Sequence, residues 1–102
     1  MKKEIIIVII GGDKLPLISQ FYGILIYLYK EVGGHHKEPH IHIKYNEYQI
    51  SINLNGIILE GEMPSKQMKL IQAWIELHAD ELKAAWYSYN EDGEIIKIRG
   101  LE

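Results

Sequence analysis

The alternation of apolar and polar positions is cleanest between His40 and Leu54, and it predicts strand pairing as well as strands. Successive side chains of a strand point to opposite faces. Ile41, Ile43 and Tyr45 therefore share one face with Tyr48, Ile50, Ile52 and Leu54, while His40, His42 and Lys44 share the other with Gln49, Ser51 and Asn53. A two-residue turn at Asn46-Glu47 pairs Tyr45 with Tyr48, Ile43 with Ile50 and Ile41 with Ile52, which keeps every apolar residue on one side. Asn55-Gly56 predicts a type I′ hairpin turn that pairs Leu54 with Ile57 and Ile52 with Leu59. On the polar face this register gives three rows across the strands: His42, Ser51, Glu60; His40, Asn53, Ile58; and Lys44, Gln49, Glu62.

The remaining elements follow from their own patterns. Ile5 to Ile10 is an unbroken β-branched run stopped by Gly11-Gly12, a strand covered by the domain's own sheet or by a second copy of the chain. Asp13 to Pro16 reads as a connector, and Phe21 to Tyr29 as a central strand without alternation. Ile71, Trp74, Ile75, His78, Leu82, Ala85, Trp86 and Tyr89 recur at helical spacing after Pro64-Ser65. They predict one long helix across the apolar face, ended by Asn90 to Gly93, with Glu94 to Ile98 as a short closing strand. The fold class is thus α+β, a mainly antiparallel sheet of about five to six strands with one long α-helix on its apolar face. His78, on the face that packs against the sheet, reads as a core histidine rather than a partner of His40 and His42.

Composition narrows the function classes. The chain has 102 residues, 47% hydrophobic and 25% charged, enough for one domain with a real core. It has no cysteine, which removes disulfides, thiolate zinc sites and cysteine nucleophiles. Net charge is -3 and the bases include a single arginine, Arg99, which argues against general nucleic-acid binding. Met1 to Glu4 before the isoleucine run is a poor signal peptide, because an acid interrupts the basic part and no small-residue cleavage site follows.

Candidate chemistry is concentrated in one stretch. His35, His36, His40 and His42, four of the five histidines, fall within eight residues after Gly33-Gly34. Imidazole both titrates near neutrality and ligates metals. One reading is a divalent metal site, zinc or manganese, held by His36, His40 and His42 with Glu60 as ligand or base. A second is metal-free acid and base catalysis by His40 and His42 on a phosphodiester such as RNA, with Lys44 stabilising developing negative charge. A third is a non-enzymatic interaction module: a homodimer through Ile5 to Ile10, or a binder of a small cognate protein, with a solvated polar sheet face. Ser51 beside His42 does not suggest a serine triad, since a plain strand has no strand-to-helix elbow to expose the hydroxyl.

The segments Phe21-Tyr22-Gly23-Ile24, His36-x-x-Pro39-His40-Ile41-His42, Glu60-Gly61-Glu62-Met63-Pro64 and Trp74-x-Glu76-Leu77-His78-x-x-Glu81-Leu82 resemble the bacterial family catalogued as domain of unknown function 4160. The chain departs from that pattern at His35, where the family usually has Asp, and at Ile41, where it usually has Phe. The resemblance divides the single domain 1–102 into an N-terminal strand and connector, 1–14, and a family-like core, 15–102. It implies a small cytoplasmic protein, often beside another small protein in an arrangement like a toxin and antitoxin pair, and it brings no established activity. Together with the histidines it leads to the expectation of a toxin-like hydrolase. His40 and His42 are its ligands or acid and base, His36 supports them, and Glu60 and Lys44 assist. Substituting either central histidine is expected to leave stability nearly unchanged.

Overall fold

A computed structural model describes residues 7–10, 13–28 and 38–102, with side chains from Pro16 onward. Ile5, Ile6, Tyr29 and the stretch 33–37, which includes His36, lie outside the described residues. β1 (Ile7–Ile10) pairs antiparallel with the first part of β2 (Asp13–Phe21), so the isoleucine run is met by the chain's own sheet. β2, β3 (Ile24–Tyr27), β4 (His40–Tyr45), β5 (Tyr48–Asn53) and β6 (Ile58–Glu62) then form one antiparallel sheet in chain order. Two helices, α1 (Ser65–Leu77) and α2 (Ala79–Asp92), complete the α+β architecture.

The β4–β5 register is the one read from the alternation: Tyr45 opposite Tyr48, Ile43 opposite Ile50, Ile41 opposite Ile52. Ile41, Ile43, Ile50 and Ile52 are buried in one core cluster with Ile71, Trp74, Ile75, Leu82, Ala85 and Trp86 of the helices. Phe21 reaches the same core and meets Trp74 at 5.5 Å between ring centroids.

Asp13 to Pro16 is the first part of β2 and not a connector. Pro16 lacks an N–H but its carbonyl still accepts from Leu28 N–H, so the proline loses one donor without breaking the strand. The run Phe21 to Tyr29 is not one strand. Tyr22 and Gly23 both have positive φ, 49° and 77°, and form the tight turn joining β2 to β3.

The β5–β6 connection also differs from a type I′ turn, which needs positive φ at both central residues, because among the described non-glycine residues only Tyr22 and Asn46 have it. Asn53 N–H instead bonds to Ile57 O, Gly56 N–H bonds to Asn53 O, and Gly56 takes φ 83°. The buried Asn53 side-chain oxygen accepts from the N–H groups of Asn55 and Ile57, which favours the longer loop. A bulge between Ser51 and Ile52 follows, and Ile58 rather than Leu59 faces Ile52.

The predicted single helix is broken at His78, whose backbone (φ -117°, ψ 24°) caps α1 and begins α2. His78 Nδ1 lies 2.7 Å from Glu81 Oε1, and its ring packs 5.4 Å from that of Trp74. Asp80 and Glu81 place negative charge in the first turn of α2, which favours starting a new helix there. Residues 94–98 form no ladder. Ile98 N–H bonds to Ile18 O at 2.8 Å, Trp74 Nε1–H bonds to Arg99 O at 2.8 Å, and the Glu102 carboxylate accepts from Tyr22 N–H. The tail thus straps helix and sheet together without adding a strand. No described helix is long and apolar enough to cross a membrane.

Candidate functional site

On the sheet face opposite Ile41 and Ile43, one cross-strand row runs through every strand from β2 to β6. Leu17 faces Tyr27, Tyr27 faces His42, His42 faces Ser51 and Ser51 faces Glu60. The neighbouring row places Leu25 opposite Lys44, Lys44 opposite Gln49 and Gln49 opposite Glu62. The sequence yielded the His42, Ser51, Glu60 part of the first row but not Tyr27, which was hidden in an apolar run without alternation.

Tyr27, His42, Gln49, Ile50, Ser51, Glu60 and Gly61 line a cleft of about 230 Å³. The cleft owes its shape to β6. Gly61 has φ 91°, and a Cβ there would lie 2.1 Å from Gln49 O, so only glycine lets β6 approach β5 so closely. Beside it, Ser51 pairs with Glu60 and Ile52 with Ile58, so β6 carries one extra residue, Leu59, in a bulge that bends β6 opposite Ser51.

His42 is held from several sides. Its ring stacks on Tyr27 (6.0 Å, 16°) and meets His40 edge-on (5.2 Å, 66°). Its Nδ1 is 3.2 Å from Ser51 Oγ, a hydrogen bond whose direction follows the ring tautomer. Its Nε2 is buried. Nδ1 is therefore the nitrogen on the side of the cleft-lining Ser51.

His40 differs from expectation. It is 1% exposed, its Nδ1–H donates to Glu38 O at 2.7 Å, and Trp86 of α2 lies 6.4 Å from its ring. The polar face is therefore not a solvated one at this end: Ser51 and Asn53 are buried as well. The helical layer reaches this end through Trp86, although the expected helix lies on the opposite, apolar face. Lys44, half-buried, is not among the cleft-lining residues, and His78 stays with Trp74 and Glu81 away from this row.

A metal centre gains no geometric support. Among the described residues no group of three or more His, Asp or Glu side chains is placed to hold an ion. Nδ1 of His40 is engaged by Glu38 O and Nδ1 of His42 by Ser51. His36, the third expected ligand, lies outside the described residues.

Comparisons with known proteins add one result. A search of curated proteins and a search of solved structures each gave no significant match. A family model, the domain of unknown function DUF4160, matches residues 23–87, a span that contains Tyr27, His40, His42, Ser51, Glu60, all of α1 and α2 as far as Tyr87. With well over half of its length matched, the chain belongs to the DUF4160 family.

Proposed function

We propose that the cleft is a hydrolytic site in which His42 transfers a proton through Nδ1. The observation that carries this reading is the 3.2 Å contact between His42 Nδ1 and Ser51 Oγ at the wall of a cleft that also presents Glu60. A general acid or base has to lie within hydrogen-bond reach of the proton it moves, and Nδ1 satisfies that condition through Ser51. Tyr27 and His40 fix the ring, so that nitrogen is not free to swing away. His40, buried, acts behind His42 and not on the substrate. Glu60 supplies an acceptor on the opposite side of Ser51.

RNA fits this cleft less well than an uncharged substrate does. Glu60 lines it and Glu62 stands in the next row, whereas Lys44 is the one cation of the two rows and does not line the cleft. The growth-arresting role implied by the family resemblance joins the proposal as a consequence of hydrolysis. A second reading, an interaction module, is favoured by the exposure of Ile57 and Leu77, 60% and 70%.

The test compares wild type with His42→Ala on chromogenic carboxylic esters and on a fluorogenic RNA, after both proteins are shown to unfold cooperatively. Turnover of at least one substrate, falling by about 10²-fold or more in the variant, is expected for loss of a general base, and expression of wild type but not of the variant then arrests growth. Absence of turnover, or equal turnover by both proteins, contradicts the hydrolytic reading.

A further inference from the structure

We infer that Ser51 is a nucleophile for which His42 Nδ1 is the base, and that the substrate is an uncharged or cationic carboxylic ester. This rests on the hydrolytic reading above and assigns the reacting atom within it. Nε2 of His42 is buried, so proton exchange with the cleft runs through Nδ1, and Nδ1 already contacts a hydroxyl. A serine within hydrogen-bond reach of an imidazole held by other groups is the arrangement that activates a hydroxyl for attack. Its recognition depends on geometry and roles, not on a sequence motif.

In place of a strand-to-helix elbow, the fold has a bulge in β6 opposite Ser51 and Ile52, and Gly61 across from Ile50. Ser51 faces Glu60 and Ile52 faces Ile58, so the extra residue Leu59 bends β6 opposite the serine, and Gly61 lets β6 lie close against the Gln49 backbone. The hydroxyl thereby borders a cleft of about 230 Å³ although it stands mid-strand. Gln49, exposed at the same cleft, carries the amide N–H groups that suit an oxygen gaining negative charge. Glu60 and Glu62 repel phosphodiesters and tolerate neutral or cationic esters.

The step balances without a further reactant. The Ser51 Oγ–H proton passes to His42 Nδ1 as Oγ bonds to the ester carbonyl carbon. Collapse of the tetrahedral species breaks the bond to the alcohol oxygen, which takes the proton from Nδ1 and leaves. Water, deprotonated by Nδ1, then adds to the acyl carbon, and release of the carboxylic acid returns the proton to Ser51.

A fluorophosphonate probe tests the assignment on the intact chain, with the adduct located by peptide mass spectrometry. One phosphonyl group on Ser51 of wild type is expected, absent from Ser51→Ala and formed about 10²-fold more slowly in His42→Ala. Locating the adduct on the wild-type chain keeps the test decisive even if a variant fails to fold. No adduct under conditions that label a reference serine esterase, or an adduct elsewhere, overturns the proposal. Ester hydrolysis that survives Ser51→Ala but not His42→Ala overturns the nucleophile alone and leaves the acid-base reading in place; hydrolysis unaffected by either variant removes both.

Discussion

His40 and His42 are two residues apart on one strand face, yet the fold gives them different work. His40 is sealed between Glu38, His42 and Trp86, whereas His42 reaches the cleft through its bond to Ser51. Alternation reveals which face a residue takes but not what lies over that face, so the sequence showed the pair and not the difference. The expected stability effects change accordingly. His40→Ala removes a fully buried ring together with its part-buried bond to Glu38 O, and a loss of about 2 kcal/mol is expected, chiefly from the cavity left under Trp86. Urea denaturation measures it. Ser51, for the same reason, was legible as the cross-strand neighbour of His42 but not as a group at the edge of a cleft, because the bulge at Leu59 lies on β6 across from it.

Among the elements, β4 and β5 were readable to the residue because a period of two and a two-residue turn leave one register that buries all the isoleucines. The expected Asn55-Gly56 turn gives way to one a residue upstream, because Asn53 captures the N–H groups of Asn55 and Ile57. The helix break at His78 has no Gly or Pro to announce it, and the seven-residue step from Ile75 to Leu82 is the same with or without the break. The β-branched stretch Ile95-Ile96-Lys97-Ile98 suits a strand, but in the structure the tail's contacts to Ile18, Tyr22 and Trp74 come singly. One glycine carries an element-level prediction. In Gly61→Ala the new Cβ would meet Gln49 O at 2.1 Å with φ at 91°, so β6 has to shift away from β5. The expected cost is about 2 kcal/mol or more, read as a lowered denaturation midpoint, accompanied by loss of hydrolysis because Gln49, Ser51 and Glu60 lose their common cleft.

At the scale of the molecule, the sheet and the two helices bury the isoleucine face, and the opposite face carries one row of side chains from Leu17 to Glu60. That row joins residues separated by more than forty positions in the chain, and Tyr27 enters it only because the β3–β4 pairing sets it opposite His42. Local patterning supplied the β4, β5 and β6 members; the long-range pairing supplied the rest. The whole arrangement leaves His42 one nitrogen toward the cleft. In neutral imidazole that nitrogen is a base only if the ring proton sits on Nε2, so the tautomer of His42 decides the account. A long-range proton–nitrogen NMR spectrum of the imidazoles, assigned with His42→Ala, reads it directly. The account predicts His42 with Nε2 protonated and Nδ1 accepting from the Ser51 hydroxyl. A proton on Nδ1, donated to Ser51 Oγ, would leave the cleft without its base and contradict the proposed chemistry.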